Sequence, residues 1–214
     1  MRICGVDEAG KGSVLGPMVT AGVLAEDEDA GILAGCGAKD SKQLTPQKRE
    51  RLYEEIVSRW KTCAVIRTPA QIDARESTMN QFTAACHAEV IRTLLPATAY
   101  VDACDVNANR FADTVLQLSG VSVRMISEHK ADGRYPIVGA ASIVAKVTRD
   151  RLVEELAEEF GSVGSGYPSD AVTISFLTEY IREHKAPPSC ARRSWQTVDD
   201  IIAKCSQQSL SAFF

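Results

Sequence analysis

The sequence predicts an α/β fold, and three observations carry that prediction. Short β-prone runs alternate with longer stretches whose apolar residues recur at helical spacing. Several of the short runs stop on a carboxylate, as residues 2–6 do at Asp7 and Glu8. The helical stretches gather toward the C-terminus, and no internal repeat interrupts the order.

The elements follow in turn. Residues 2–6 form a strand, and after Gly10-Lys11-Gly12 residues 14–25 form a second, bent at Gly16-Pro17. Residues 26–38 read as a loop. Thr45 is an N-cap and Pro46 opens a helix striped by Leu52, Ile56 and Trp60. Residues 62–68 are a strand. Ser77 or Thr78 begins a long helix that ends before Pro96, with Phe82, Cys86, Ile91, Leu94 and Leu95 toward the core. Residues 99–104 form a strand carrying Asp102, and residues 107–119 a helix closed by Gly120. A strand over 121–127 leads into a turn with His129, Lys130, Asp132 and Gly133. Residues 136–160 are a helix whose Gly139-Ala140-Ala141-Ser142 is small enough to lie flat on a sheet. A flexible Gly-Ser-Gly-Tyr-Pro-Ser loop holds Tyr167. Residues 170–184 and 197–204 are helices, separated by a break at Pro187-Pro188.

Composition narrows the function. A chain of 214 residues, 45% hydrophobic and 24% charged, is one domain with a core, or one domain with a small appendage. No run approaches the roughly 18 apolar residues of a membrane span, and the N-terminus lacks a signal-peptide pattern, so a cytoplasmic protein without membrane contact is expected. Seven cysteines with no CxxC pair argue against a disulfide framework and a zinc ribbon. His87, His129 and His184 are too scattered for an HxxxH site, so any metal is held by carboxylates. The net charge of −4 does not favour nucleic acid. Basic groups nevertheless cluster at Lys39, Lys42, Lys48, Arg49 and Arg51, and again at Lys146, Arg149 and Arg151.

The chemistry collects at strand ends, where open α/β sheets place functional groups. Asp7 and Glu8, Asp102, and Asp132 shortly after a further strand form one set. Four acids brought together repel unless cations lie between them, and two divalent ions roughly 3.5–4 Å apart can activate a water and stabilise a leaving oxygen. Magnesium prefers such oxygen ligands. Asp7 and Glu8 face opposite sides of a regular strand, so the strand must twist or end there for both to serve one site. Gly10 and Gly12 allow close approach of backbone N–H groups to a ligand.

These motifs resemble those of the ribonuclease HII family, the type 2 ribonucleases H, and most closely its archaeal form. The resemblance rests on GVDEAGKG at 5–12, GPMV at 16–19, DSKQLTP at 40–46, YVDACDVN at 100–107, HKAD at 129–132, AASIVAKVTRDR at 140–151 and GSGYPSD at 164–170. It implies a ribonuclease H-like mixed β-sheet flanked by helices, with a helical C-terminal part. It also implies hydrolysis of the RNA strand of RNA–DNA hybrids and nicking at ribonucleotides embedded in DNA, with Mg2+ or Mn2+, leaving 5′-phosphate and 3′-hydroxyl ends. Carried over by motif, Asp7, Glu8, Asp102 and Asp132 are the catalytic, metal-binding acids. Gly10-Lys11-Gly12 is the loop that reads a ribose 2′-hydroxyl, with lysine where many relatives have arginine. Tyr167 packs on the sugar at the RNA–DNA junction, where a flat ring tolerates a deoxyribose. Lys39, Lys42, Lys146 and Arg149 are candidates for phosphate contacts. Two other readings compete: an actin-like phosphotransferase, and a non-catalytic hybrid-binding module.

The chain ends on Gln207-Gln208-Ser209-Leu210-Ser211-Ala212-Phe213-Phe214. A 3-10 turn over 210–213 would set Leu210, Phe213 and Phe214 together as an apolar plug, with Gln207 at its edge. The pattern resembles the peptide by which replication enzymes hang on the sliding clamp, PCNA. The expected organisation is a catalytic domain over 1–186, a helical extension over 187–206 and a clamp-binding-like tail over 207–214, in a monomer.

Overall fold

A computed structural model describes residues 1–35, 37 and 44–211, with side chains as far as Gln207. The described chain forms two compact units. The first comprises Met1–Lys11, Val19–Ile66 and Ser77–Thr148; the second comprises Gly12–Met18, Arg67–Glu76 and Arg149–Phe214.

The first unit is built on a five-stranded sheet: β1 (Arg2–Ala9), β2 (Met18–Glu26), β3 (Lys61–Arg67), β4 (Thr98–Asp102) and β5 (Arg124–Glu128), in the order β3-β2-β1-β4-β5. β1 pairs antiparallel with β2 and parallel with β4, which pairs parallel with β5, so the sheet is mixed. Burial on both faces explains why β1 and β2 read as nearly continuous apolar runs.

Glycines mark where helices come down onto this sheet. A Cβ added at Gly5 would lie 2.2 Å from the Ile137 carbonyl oxygen, so α7 (Pro136–Phe160) meets β1 backbone to backbone. On the other face a Cβ at Gly22 would lie 2.4 Å from Val90 Cγ1 and 2.9 Å from Leu94 Cδ1, both on α4 (Met79–Leu94). The small residues Ala140, Ala141 and Ser142 of α7 are fully buried, as their run suggests. α5 (Ala108–Ser119) packs on α4 and β5, burying Phe111 and Val115.

Helix starts match their sequence signals. Thr45 accepts from the Lys48 amide ahead of α2 (Pro46–Arg59), and Thr78 and Gln81 form a reciprocal capping box ahead of α4. Other stretches differ from expectation. Residues 26–35 are not a loop: a 3-10 turn at Asp27–Asp29 leads into α1 (Ala30–Gly35), where Leu33 is fully buried and Asp29 accepts from the Trp60 indole at 3.0 Å. A short α3 (Pro69–Asp73) forms on a second capping box, Thr68 with Gln71. Leu95 leaves the core stripe because it is the left-handed C-cap of α4, and it is 53% exposed. The turn after β5 is the short α6 (Ala131–Arg134).

In the second unit, α8 (Ala171–His184) and α9 (Gln196–Ser211) share a core with Val14, Leu15, Val153 and Val163. Cys190, Ala191, Val198, Ile201 and Cys205 belong to that core, so residues on both sides of position 186 contribute to it. Arg192 is fully buried, donates Nε–H to the Gly16 carbonyl at 3.1 Å and lies over the Trp195 ring. Burial, with the Arg149 charge behind it, pushes its guanidinium down to about 9. α9 continues to Ser211, seven residues past the expected end at Lys204. Leu210 therefore lies on helical backbone, while Phe213 and Phe214 lie outside the described residues. Among the described residues no helix is long and apolar enough to cross a membrane.

The two glycine contacts should differ in cost. Gly5→Ala meets backbone that cannot rotate away, so its loss should exceed the ~3 kcal/mol upper end of ordinary overpacking. Gly22→Ala meets side chains that can shift and should cost less; thermal denaturation of the pair checks the order.

Candidate active site

β1 does not end at its acids. It pairs residue by residue with β2 through Asp7↔Ala21 and Glu8↔Thr20 to Ala9↔Val19. The pleat stays regular and sends the two carboxylates toward opposite faces. Yet β1 parts from β4 after Val6↔Val101, so both acids stand at the open end of that pair. The Glu8 charge is close enough to act on Asp7, and no twist is needed for both to border one site. Their partners come from different helices accordingly. Asp7 hydrogen-bonds the Ser142 hydroxyl of α7, and Glu8 Oε2 lies 2.9 Å from His87 Nε2 of α4.

Asp102 closes β4 on the same face as Asp7, since Val6↔Val101 is the last parallel pair before them. Its Oδ1 accepts the Ala131 amide at 2.9 Å, the first N–H of α6. Asp132 follows in that helix, 6% exposed, with Oδ1 on the Gly133 amide at 3.0 Å. The short helix thus ties the two acids to one turn, and a helix N-terminus favours negative charge.

Asp7 bears most of the electrostatic strain. It is 6% exposed, and burial first, then Glu8 and Asp102, push its carboxyl up to about 8. Ser142 and the Glu8 amide, which donates to Asp7 Oδ1 at 2.8 Å, oppose that shift. Lys146 Nζ donates to Ser142 Oγ at 2.7 Å, so its positive charge is held one hydroxyl away from Asp7.

The donor set fits a divalent cation, because every acid offers oxygen and crowded carboxylates of this kind are relieved by positive charge. Among the described residues no three acidic, histidine or cysteine side chains already converge on one point as a ready-made metal cage. The fit is in chemistry and charge.

The neighbouring loop divides its work. Gly10 sits at φ 79°, which a side chain would strain, whereas a Cβ added at Gly12 would meet nothing within 4 Å. Lys11 points its ammonium at Asn80 Oδ1 (2.7 Å) and the Cys104 carbonyl (3.1 Å), bracing the loop from within.

Tyr167, in the second unit, lies over a buried cation. The Arg149 guanidinium carbon is 4.7 Å from its ring centroid, and Nη2 donates to the Ser165 carbonyl at 2.6 Å. Arg149 is 4% exposed, not at an open helix position. The loop expected to be flexible is tied at several points. Gly166 accepts the Val14 and Leu15 amides, and Asp170 accepts the Ser165 amide at 2.6 Å, which holds its carboxyl low, at about 2. Lys39 and Lys42 lie outside the described residues.

Sequence reasoning missed His87, Ser142 and Asn80 as members of the site. Ser142 was hidden in a run of small residues and His87 in the buried stripe of α4; a polar side chain on an apolar face was the available signal.

The fold and the acid-lined strand ends define a ribonuclease H-like nuclease. A family model described as Ribonuclease HII matches residues 4–198. The ribonuclease HII of Methanocorpusculum labreanum is 64% identical over the whole of both chains, and that of Methanoregula boonei 54% identical over 99% of this chain and all of the other. The crystal structure of the ribonuclease H2 from Pyrococcus horikoshii superposes with a TM-score of 0.92 at 40% identity, covering 97% of this chain and 100% of that one. The Archaeoglobus fulgidus enzyme, solved as a PCNA:RNase HII complex, has a TM-score of 0.86 at 44% identity, over 92% and 96% of the two chains. The chain belongs to the ribonuclease HII family. It is an enzyme with the endoribonuclease activity typical of that family, on RNA–DNA hybrids and at ribonucleotides in DNA. The phosphotransferase and non-catalytic readings are set aside.

The raised Asp7 has a consequence for stability without metal. The unfolded chain loses this proton near 3.8 and the folded protein only near 8, so folding stability falls as pH rises between those values. Asp7→Asn removes that slope. Metal-free Asp7→Asn should therefore match wild type in Tm near pH 4 and exceed it near pH 8, measured by calorimetry.

Proposed function

We propose that Asp7, Glu8, Asp102 and Asp132 are the catalytic acids and hold two divalent ions, Mg2+ or Mn2+. The observation that carries this reading is the buried Asp7, one residue past the Val6↔Val101 pair and so beside Asp102 on one face. Asp132, also buried, lies in the short helix whose first amide binds Asp102. When bound, such ions supply water activation and charge stabilisation of the leaving oxygen, giving 5′-phosphate and 3′-hydroxyl ends.

The chain's own residues do the rest. Ser142 and Lys146 orient Asp7, and α6 orients Asp102. The backbone of Gly10-Lys11-Gly12 accepts a ribose, with Gly12 leaving room for it and Lys11 bracing the loop. Tyr167 presents a ring that Arg149 stiffens, suited to packing on a deoxyribose. Lys39, Lys42, Lys146 and Arg149 are the candidates for phosphate contacts. Lys146 and Arg149 already serve partners of their own, which favours a positioning part for both.

Residues 1–186 form the catalytic body in this reading, 187–206 a packed extension and 207–214 a tail. The relative solved with PCNA favours a sliding clamp as the partner of Gln207, Leu210, Phe213 and Phe214. The working unit is one chain, acting in the cytoplasm.

Two experiments test these roles. Asp102→Asn and Asp132→Asn should fold normally and lose several orders of magnitude in kcat on a duplex with one embedded ribonucleotide. Near wild-type turnover in either would remove that residue from the set. Deleting residues 207–214 spares Val198, Ile201 and Cys205, through which α9 enters the core. Tm and cleavage of short duplexes should stay unchanged, and binding to the sliding clamp should be lost, as read by surface plasmon resonance.

A further inference from the structure

His87 has no exposed surface, yet a helix face against β1 could be filled by an apolar residue at no polar cost. Its ring packs edge-on against Phe111, with centroids 5.2 Å apart. Nδ1 is buried and has no hydrogen-bond partner among the described residues. An orphaned buried ring nitrogen is unfavourable, because it has given up water for no partner. Among the described residues, the polar contact to set against that is Nε2 to Glu8 Oε2, at 2.9 Å.

The geometry also assigns the proton. A carboxylate can only accept, so Nε2 is the donor to Oε2. One carboxylate oxygen is taken and the other remains, on a side chain only 12% exposed.

We propose that His87 is a positioning residue that holds Glu8 in the orientation in which it binds a divalent ion, through the Nε2–H to Oε2 bond. The proposal rests on the reading of Glu8 as a metal ligand. It explains how an acid on the far face of β1 keeps one orientation without help from the Asp7 face. Hydrogen bonds of this kind behind a ligand change metal affinity 10–100-fold in general.

The test reads metal binding directly, on the full chain without substrate. Mn2+ affinity is measured by titration calorimetry for wild type, Glu8→Gln, His87→Leu, His87→Gln and the double variant Glu8→Gln/His87→Leu. His87→Leu should weaken Mn2+ by about 10–100-fold. His87→Gln, whose amide can reach toward the Nε2 position, should recover much of it. In the Glu8→Gln background the leucine should cost nothing further. If Glu8→Gln binds Mn2+ as wild type does, the reading of Glu8 as a ligand fails. If Glu8→Gln weakens binding and His87→Leu does not, His87 is packing alone and the proposal is overturned. A wild-type measurement covers the case in which the leucine variant does not fold. The imidazole nitrogens of His87 should show the Nε2–H tautomer by NMR and shift on Mg2+ addition. Absence of that shift in a Mg2+-binding protein overturns the proposal as well.

Discussion

The pleat of β1 is the constraint from which the site follows. Adjacent acids on a regular strand must diverge, and β1 stays regular through Ala9 because β2 pairs with it residue by residue. Two neighbouring carboxylates therefore need two sets of supports, one on each face of the sheet. α7 supplies Ser142 for Asp7, and α4 supplies His87 for Glu8. A sheet covered by a helix on one face only would leave one of the acids without a buried partner.

Close packing makes those supports reachable. Gly5 and Gly22, on opposite faces, let α7 and α4 sit low enough for short side chains to bridge the remaining gap. The supports also differ in charge. The Asp7 side ends on the Lys146 ammonium, through Ser142, while the Glu8 side ends on an imidazole whose second nitrogen is without a partner among the described residues. Asp7, the more crowded acid, is the one with a cation behind it. Even so, burial outweighs the Ser142 and Glu8-amide hydrogen bonds and keeps its carboxyl high.

The second unit applies the same economy to an aromatic ring. Tyr167 stands on a loop, and loops are ordinarily the mobile part of a fold. Here Arg149 lies beneath the ring, and the loop backbone is tied to the Val14–Leu15 backbone and to the Asp170 carboxylate. Gly166, at φ 80°, leaves no room for a Cβ beside Arg149 Nη2, 2.7 Å away.

The sequence by itself determined the elements whose signals are local. Thr45, Thr78, Asn107 and Asp170 each cap the helix expected after them, and α7 spans Pro136–Phe160 as its pattern requires. Asp7, Glu8, Asp102 and Asp132 stand out in the sequence as a candidate set because each lies in or just after a β-prone run. Tertiary structure alone decided what stands behind them. His87 and Glu8 are 79 residues apart, Lys11 and Cys104 93, so no local pattern joins either pair. Arg149 reads as an exposed helix cation, yet packing buries it under Tyr167. Caps and periodicity are properties of neighbouring residues, whereas a buried polar contact exists only once two distant elements have closed on each other and excluded water.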